Sequence, residues 1–361
     1  MTTRTLNIAM IGHGFMGRAH SNAFHQVGHF FDTPFTLKRK VICGRNQEAV
    51  QEMAARWGWD ETANDWHAVV DRKDIDVVDI GTPNALHAEI AIAAAKAGKI
   101  VWCEKPLAMN SAQAAQMAQA TKSVPNLVWF NYRRVPAIAL AKQLIDEGKI
   151  GQVYHYRAAY LQSWGADPAR IGVWRFNKAD AGSGAMGDLL THIVDLAHFL
   201  NGSLSELNAL VHTFAHGREV DDAAIFTGRF ANGAIGTFEA TRFAIGMKNR
   251  NRFEIHGSKG ALAFNLEELN HLLYYNATLP ADQQGWTDLM VTGPGHPYTA
   301  NFWPSGHIIG YEHTFVATLA DFLQALASGS EFHANFEDGL KVQQVMDAVE
   351  KSSETRSWVK L

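Results

Sequence analysis

Short apolar runs alternate with longer helical patterns through the first 130 residues of this 361-residue chain. The runs have the length and composition of buried β-strands, and the segments between them, several rich in alanine, repeat with a helical period. The predicted strands are Asn7–Ile11, Lys40–Gly44, Val77–Gly81, Ile100–Cys103 and Leu127–Phe130, with helices such as Ala88–Ala97 and Ala112–Thr121 between them. This alternation predicts an α/β domain over residues 1–130, with a doubly wound parallel sheet.

The pattern changes after a helical segment near Ile138–Glu147. Strand-like segments then follow one another, some joined by tight-turn signals such as Ala231-Asn232-Gly233. They are Gln152–Leu161, Leu207–Phe214, Ala223–Phe230, Gly233–Arg242, Arg252–Gly257, Ala261–Asn265 and Leu272–Asn276. Residues 131–361 are therefore predicted to form an α+β domain with a mostly antiparallel sheet, one intervening helix at about Gly187–Leu200 and helices near the C-terminus.

Composition favours a small-molecule site over a macromolecular partner. Apolar residues make up 47% and charged residues 19% of the chain, and the net charge of −4 gives no electrostatic reason to expect nucleic acid or an anionic membrane. Gly12, His13 and Gly14 interrupt the apolar run near the N-terminus, so neither a signal peptide nor a spanning helix is predicted, and a cytoplasmic protein is expected. Two cysteines, and histidines without a metal-ligand spacing, predict no metal site.

The turn Gly12–Gly17 has the Gly-x-Gly-x-x-Gly pattern and lies between the first predicted strand and a helix. Glycines there let the backbone turn tightly and approach a pyrophosphate, whose charge is stabilised by the N–H groups at the helix start. Although the pattern alone is a weak signal, its strand–turn–helix context predicts a Rossmann dinucleotide site. Gly12, Gly14, Phe15, Met16 and Gly17 are the predicted cofactor-binding residues of this turn.

The second strand of such a domain normally ends in an acidic residue that binds the adenosine ribose. Here Gly44 and Arg45 stand at that position, with no carboxylate. An arginine could accept the 2′-phosphate of NADP, or it could be a solvated side chain or stack on adenine. Both residues are candidates for nucleotide binding, and the choice between NAD and NADP stays open.

Two further segments follow predicted strands at the edge where doubly wound sheets bind ligands. Thr82, Pro83, Asn84 and His87 follow one strand, and Glu104 and Lys105 follow the next, before Pro106. These six residues ahead of the proline are predicted to contact the cofactor. Taken on its own, Lys105 would more simply be a solvated lysine at the end of a strand.

The segment Gly182–Gly187 is rich in glycine and leads into a predicted helix that carries Asp188 and His192. Residues four apart share one face of a helix, so the two side chains are expected to be neighbours. Asp188 could instead be a first-turn acid stabilised by the helix dipole, and His192 a packing residue. The pair alone does not decide between these alternatives.

The turn Gly12–Gly17, the triplet Glu104–Pro106 and the glycine-rich turn before Asp188 and His192 occur in an order and spacing that resemble the glucose–fructose oxidoreductase / inositol dehydrogenase / MocA (Gfo/Idh/MocA) family. The resemblance extends over nearly the whole chain. It implies a Rossmann domain followed by a substrate-binding domain with a large open sheet, through which such proteins often form homodimers or homotetramers. Gly44 and Arg45 depart from the acid that NAD-preferring members tend to carry.

The resemblance also implies a reaction, the transfer of hydride between NAD or NADP and a secondary hydroxyl of a sugar, anhydrosugar or cyclitol. Lys105, Asp188 and His192 would be the catalytic group. A neutral imidazole, whose ordinary pKa is about 6.5, suits His192 as the base, while Lys105 could stabilise the developing alkoxide or be the base itself. The predicted substrate-binding residues are Lys105, Tyr132, Arg133, Gln162, Trp174, Arg175, Asp188 and His192.

Two other functions are compatible with the same fold. One is NAD-assisted cleavage of a glycoside by elimination, which would produce no net NADH. The other is a non-catalytic regulator that senses the nucleotide. Retention of Lys105, Asp188 and His192 together argues against the regulator, because nucleotide sensing does not require groups for proton transfer.

Overall fold

A computed structural model describes residues 4–167 and 173–361, in two compact units. The first unit contains the residues up to Asn131 together with Tyr311–Lys341, and the second contains Tyr132–Gly310 and Val342–Leu361. The sequence patterns assign Tyr311–Lys341 to the second domain, whereas the contacts place this segment in the first unit. The local sequence of a helix does not show which sheet the helix packs against, so this assignment could not be made from the sequence.

The sheet of the first unit has six parallel strands, and it confirms the predicted doubly wound α/β fold. The strands are β1 Arg4–Ile11, β2 Phe35–Cys43, β3 Glu61–Ala63, β4 Val77–Ile80, β5 Ile100–Cys103 and β6 Asn126–Val128. Their order is β3-β2-β1-β4-β5-β6, so successive strands are added on one side of β1 up to β3 and on the other side from β4 onwards, and the strand order reverses between β1 and β4. Ligands of such sheets bind outside the carboxyl ends of the strands at this reversal.

Helices connect these strands, and polar side chains cap several of them. The helices are α1 Phe15–Phe30, α2 Gln47–Trp57, α3 Trp66–Val70, α4 His87–Lys96 and α5 Ser111–Ala120. The side chain of Asn46 accepts a hydrogen bond from the amide of Ala49 at the start of α2, and Asn110 does the same for Gln113 in α5. The first helix is different, because its N-cap is Gly14, which has no side chain to cap it.

The glycine turn at the end of β1 lies tightly against the turn that follows β4. Gly12 has φ of +117°, and a Cβ atom there would lie 2.4 Å from the carbonyl oxygen of Gly81. A Cβ at Gly17 would lie 2.8 Å from the carbonyl oxygen of Gly12. Gly14, by contrast, has ordinary φ and no atom of the described chain within 4 Å of such a Cβ. The fold itself requires glycine at positions 12 and 17, and it leaves position 14 open.

The second unit is built on a nine-stranded sheet. Its strands are β7 Val153–Leu161, β8 Leu204–His212, β9 Ala223–Phe230, β10 Ile235–Thr241, β11 Arg250–Gly257, β12 Gly260–Asn265, β13 His271–Asn276, β14 Trp286–Met290 and β15 Val359–Lys360. The order is β14-β13-β12-β11-β7-β10-β9-β8-β15, and every neighbouring pair is antiparallel except β7 with β10. The predicted mostly antiparallel sheet is confirmed.

The helices that follow β6 along the chain are α6 Pro136–Asp146, α7 Lys178–Ala181, α8 Thr191–Asn201, α9 Tyr311–Ser328 and α10 Phe336–Thr355. Of these, α9 belongs to the first unit, and α10 is divided between the two. Alternate residues of β9 and β10 are buried, and the buried side chains stack as aromatic pairs such as Phe226 with Phe238, 4.2 Å apart. The segment 162–185 is rich in Gly, Pro, Asp and Trp, which predicts a long loop. It contains α7 and short 3₁₀ turns, and residues 168–172 of it lie outside the described residues. Within the described ranges, no helix is long and apolar enough to cross a membrane.

The glycine turn allows a test in which fold and ligand binding separate. Gly14→Ala should leave folding intact because the new methyl group meets no atom of the chain, but it should obstruct close approach of a pyrophosphate and raise the Kd for NADH by about tenfold or more. Gly12→Ala should fail to fold or lose much of its thermal stability. Fluorescence titration with NADH and thermal unfolding measure the two effects. Unchanged NADH affinity in folded Gly14→Ala would contradict the assignment.

Candidate active site

The predicted cofactor residues of the first unit gather at the carboxyl ends of β1, β4 and β5. Thr82 follows the close contact between Gly12 and Gly81, and its hydroxyl oxygen is buried without a hydrogen-bond partner among the described residues. The ring of His87 bridges two turns, because its nitrogens lie 3.0 Å from the carbonyl oxygen of Pro106 and 3.1 Å from that of Thr82. Burial lowers the pKa of His87. Pro83 and the buried Asn84 complete this turn.

Glu104 and Lys105 follow β5, and the peptide bond from Lys105 to Pro106 is cis. Glu104 was predicted to contact the cofactor, yet its carboxylate is 7% exposed and engaged within the protein. One carboxylate oxygen accepts the backbone amide of Lys105 at 3.0 Å. The other oxygen lies 3.0 Å from Nε2 of His20 in α1. Glu104 thus connects α1 to the turn that carries Lys105.

His20 is fully buried and lies between two carboxylates. Its Nδ1 is 2.8 Å from Asp79 of β4, and its Nε2 faces Glu104. Burial alone lowers the pKa of an imidazole, but the charges and hydrogen bonds of Asp79 and Glu104 outweigh this and raise the pKa of His20 to about 9. Protonation of His20 therefore stabilises the folded protein below pH 6.5, and this stabilisation is lost as the pH rises through about 9.

Gly44 and Arg45, the residues predicted to face the adenosine ribose, lie just after β2. A Cβ at Gly44 would lie 2.4 Å from Nδ1 of His13 and 2.9 Å from a methyl carbon of Val50. Any side chain at position 44 therefore requires His13 and Val50 to shift. Arg45 is exposed, as are Gly14 and Phe15, whereas Met16 is half-buried.

These residues fit a dinucleotide. Gly14 leaves open space at a helix start that has no side-chain cap, and the hydroxyl of Thr82, beside the contact between Gly12 and Gly81, is buried without a partner among the described residues. Backbone N–H groups at a helix start bind phosphate, and an unpartnered buried hydroxyl is otherwise energetically costly. Gly12, Gly14 and Gly17 would hold the pyrophosphate, while Thr82 would donate to or accept from a polar group of the ligand.

The second unit carries Asp188 and His192 on one continuous helical segment. The predicted helix near Gly187–Leu200 is present, and its first turn, Met186–Leu190, is a π-helix that continues into α8. The hydroxyl of Thr191 donates to the carbonyl oxygen of Gly187, and the amide of Thr191 reaches back to Met186. The side chain thus takes the carbonyl that an α-helical amide would use. Wider turns of this kind are frequent at functional sites.

The start of this segment is fixed by Asp221. The carboxylate of Asp221 accepts the amides of Gly184 at 2.5 Å and Met186 at 2.8 Å. Burial raises the pKa of Asp221 despite these bonds. A Cβ at Gly184 would lie 1.8 Å from the carbonyl oxygen of Asp221, so only glycine permits this approach. Within the glycine-rich turn before Asp188, packing therefore requires glycine at position 184.

Asp188 and His192 each have a defined neighbour in the second unit. A guanidinium nitrogen of Arg242, a residue only 1% exposed, donates to the carboxylate of Asp188 at 3.0 Å. Trp164 lies against the same guanidinium, with its ring centre 4.7 Å away. The ring of Tyr132 packs 4.6 Å from that of His192. Both side chains are thus held in place, and the carboxylate of Asp188 retains 22% of its exposure.

The remaining predicted substrate residues have unequal surroundings. Arg133 is buried and forms an ion pair with Asp195, with nitrogen–oxygen distances of 2.5–3.1 Å, which accounts for its charge without a substrate. Gln162 donates to Asn249 at 2.7 Å, and that same oxygen accepts the hydroxyl of Tyr160 at 2.7 Å.

Tyr132 and Tyr160 share a hydroxyl contact of 3.1 Å, which links this polar group to the residues around His192. The guanidinium of Arg175 lies over the ring of Trp174 at 4.6 Å. Both of these side chains are half-buried.

Four residues that contact the predicted site residues, or the turns that carry them, were not predicted from the sequence: His20, Asp79, Asp221 and Arg242. Their hydrogen-bond partners are 35 to 84 residues away along the chain. A histidine on the buried face of α1 and an arginine at the end of an otherwise apolar strand were the available signals. Among the described residues, no group of three or more His, Cys, Asp or Glu side chains could hold a metal ion.

Comparison with known proteins identifies the class of both units. The profile of an oxidoreductase family with an NAD-binding Rossmann fold matches residues 6–132, and that of the GFO/IDH/MocA C-terminal domain matches residues 138–263. The chain is 43% identical to levoglucosan dehydrogenase of Pseudarthrobacter phenanthrenivorans, over 99% of this chain and 98% of that protein. It is 26% identical to myo-inositol 2-dehydrogenase of Thermotoga maritima, over 99% and 98% respectively.

Solved structures give the same result. An oxidoreductase domain protein from Kribbella flavida has a TM-score of 0.97 at 47% identity, and a levoglucosan dehydrogenase in complex with NADH has 0.96 at 44%, each over 99% of both chains. The run from Thr82 to Pro106 and the segments 131–136 and 174–176 predict a closer likeness to levoglucosan dehydrogenase within the family, which these comparisons confirm. The chain belongs to the Gfo/Idh/MocA family of oxidoreductases, with an NAD-binding Rossmann domain.

Proposed function

We propose that this protein is an NAD(P)-dependent dehydrogenase that oxidises a secondary hydroxyl of a sugar, anhydrosugar or cyclitol. Relatives named levoglucosan dehydrogenase and myo-inositol 2-dehydrogenase support the substrate class, because they span nearly the whole chain. The observation that carries the proposal is the helical segment with Asp188 and His192, each held by a neighbour. A cytoplasmic location, where a diffusible dinucleotide is at hand, is part of the same proposal.

His192 is proposed to take the proton of the reacting hydroxyl. An imidazole with an ordinary pKa near 6.5 can accept a proton at neutral pH, and packing against Tyr132 fixes the plane of the ring. Asp188 is proposed to bind a neighbouring hydroxyl or to orient the imidazole. Its carboxylate keeps one fixed direction because Arg242 donates to one of its oxygens.

Lys105 is proposed to act on the same oxygen by donating a hydrogen bond as alkoxide character develops. The bound nicotinamide supplies the hydride acceptor. The turn after β5 directs this lysine from a backbone that Glu104 fixes through its amide. Lys105 could itself be the base, and the experiments below distinguish the two assignments.

Recognition of a polyol requires several donors and acceptors together with a flat apolar surface. The second unit offers Gln162 and Tyr132 as polar groups and the half-buried pair Trp174 and Arg175. We propose that these residues contact the sugar ring. Screening sugars and cyclitols with NAD and with NADP, by absorbance of the reduced nucleotide, tests the activity and the nucleotide preference together.

The two alternative functions give different results in that screen. An enzyme that cleaves glycosides by NAD-assisted elimination would release the aglycone without net formation of NADH. A regulator would bind NADH without turnover of any polyol. Retention of Lys105, Asp188 and His192 favours the dehydrogenase, because proton transfer has no part in nucleotide sensing.

Replacing Lys105 tests the role of its ammonium group. Lys105→Met keeps much of the stem and removes the charge, so kcat should fall by about a hundredfold or more, the range typical for losing a positioned donor or acid–base group. NADH affinity should change little. Lys122→Met, at an exposed position of the same unit, serves as the matched control. Near-normal kcat in Lys105→Met would assign this residue a structural role only.

A double-mutant cycle tests whether Asp188 and His192 act as one unit. His192→Asn should abolish most turnover, and Asp188→Asn should lower it by a smaller factor. In the double variant, the loss from Asp188→Asn should be smaller than in the wild-type background, because groups of one catalytic unit are not additive. Steady-state kcat values for the four proteins give the coupling. Strictly additive losses would favour Lys105 as the base.

We also propose that the protein is a homodimer or homotetramer that assembles through the open face of the large sheet. Leu210, Ile225 and Ile235 lie on β8, β9 and β10 and are 63%, 49% and 50% exposed, and the residues next to Ile225 and Ile235 along the chain are buried. Leu210 pairs directly with Ile225 across the strands. Exposed apolar side chains on one sheet face are typical of protein interfaces.

Charge placed on this face should separate the subunits. The wild-type protein should run as an oligomer in size-exclusion chromatography with light scattering, and Ile225→Glu should shift it towards the monomer, because the new carboxylate would be buried unpaired in the interface. Leu279→Glu, at an exposed turn position outside the face, should have no effect. A monomeric wild-type protein, or an unchanged mass in Ile225→Glu, would refute the proposed interface.

A further inference from the structure

A chain of four hydrogen bonds runs through the interior of the first unit and ends at the backbone of Lys105. The indole nitrogen of Trp129 donates to Asp79 at 2.8 Å, and the other oxygen of Asp79 lies 2.8 Å from His20. His20 meets Glu104 at 3.0 Å, and Glu104 accepts the amide of Lys105 at 3.0 Å. Asp79 and His20 have no exposed surface, so water does not compete for these bonds.

The geometry defines the charge of the imidazole. Both ring nitrogens of His20 face carboxylate oxygens, which accept but do not donate when ionised, so both nitrogens must carry a hydrogen. Trp129 stacks on the ring at 4.1 Å, and Phe24 and Phe315 pack around it from α1 and α9. Among the described residues, Cys103 and His87 also lie near these carboxylates, and burial raises the pKa of Cys103 and lowers the pKa of His87.

A buried network of charged groups is an unfavourable way to fill the interior if its only role is packing. Moving three charged groups out of water carries a desolvation penalty, and well-packed apolar side chains of similar volume often give equal or greater stability. What an ion-paired network adds is direction, because each hydrogen bond restricts the orientation of the next group. Here the hydrogen bonds connect α1, which starts at the glycine turn, to the turn that carries Lys105, so the orientation of that turn depends on the position of α1.

We propose that His20 is a positioning residue, whose imidazolium fixes the carboxylate of Glu104 and thereby the backbone of Lys105. The inference rests on the proposed function, since the direction of Lys105 matters for turnover only if Lys105 acts on the substrate. It also assigns Glu104 a positioning role in place of the predicted contact with the cofactor. The effect of losing His20 is then a displaced ammonium group in a folded protein that still binds the nucleotide.

Titration of the wild-type protein tests the link without any substitution. In ¹⁵N NMR spectra, the ring nitrogens of His20 should titrate with a pKa of about 9, and the amide of Lys105 should shift with the same midpoint. As the pH rises above this value, one ring nitrogen loses its hydrogen and one carboxylate loses its bond, so kcat should fall over the same range. A Lys105 amide that does not follow the titration of His20 would overturn the proposal.

Variants test the effect on turnover. His20→Gln should lower kcat by about 10- to 100-fold, the range for small misplacements of a catalytic group, with NADH affinity nearly unchanged and without the alkaline decline near pH 9. His25→Gln, at an exposed position of the same helix, should match the wild type. Glu104→Gln keeps an oxygen for the amide of Lys105 and offers an N–H to a neutral imidazole. It should therefore retain about tenfold more turnover than Glu104→Met, which removes both bonds.

The outcomes separate this inference from the proposed function. If Lys105→Met keeps its turnover, the proposed role of Lys105 fails whatever His20 does. If Lys105→Met is inactive while folded His20→Gln retains the kcat and pH profile of the wild type, the positioning role alone is refuted. If His20→Gln does not fold, the titration of the wild-type protein and the comparison of Glu104→Gln with Glu104→Met still decide. Equal kcat in those two Glu104 variants would refute the proposal.

Discussion

The close approach of Gly12 to the carbonyl oxygen of Gly81 is the constraint on which the first unit depends. At this point the strand order reverses between β1 and β4, and the two turns must meet without a side chain between them. The contact gives α1 its starting point and direction. Everything that α1 carries on its buried face follows from it, including the position of His20 between Asp79 and Glu104.

The second unit uses the same physical device at a different place. Gly184 lies so close to the carbonyl of Asp221 that a Cβ atom would overlap it, and the Asp221 carboxylate then accepts the amides at the start of the helical segment. With its start fixed, the segment widens into a π-turn because Thr191 bonds the Gly187 carbonyl. In both units, a glycine allows a backbone carbonyl to approach closely, and this contact fixes where a helical segment begins.

Features that depend on local pattern could be predicted from the sequence. Parallel strands such as β4 and β5 are continuous apolar runs, and the turn between β9 and β10 has the Asn-Gly signal of a hairpin. β3 is three residues long without an apolar run, and β15 has two, so neither has enough residues to show a period. The helix predicted near Gly187–Leu200 is present, and the sequence pattern gives no sign that its first turn is a π-turn, where the Thr191 hydroxyl bonds the Gly187 carbonyl.

Pairings over long separations could not be read from the chain. Glu104 looks like a ligand residue beside Lys105 in the sequence, and only the fold shows that its partner is His20, 84 residues away. The same holds for Arg242, which stands at the end of a strand and reaches Asp188. The motif residues were identifiable because their spacing is local, whereas the residues that hold them in place depend on tertiary packing.

The ribose end of the first unit shows how such packing changes the meaning of a motif. In the sequence, the absence of an acid at Gly44 leaves the choice between NAD and NADP open, whereas in the structure the ring of His13 occupies the space that a side chain at this position would need. An acid at position 44 would require His13 to move, and His13 belongs to the glycine turn itself. The glycine at 44 is therefore coupled to the glycine turn through sterics, and exposed Arg45 is the position left free to respond to a 2′-phosphate. The absence of an acid at position 44 therefore has a steric explanation that does not depend on the choice between NAD and NADP.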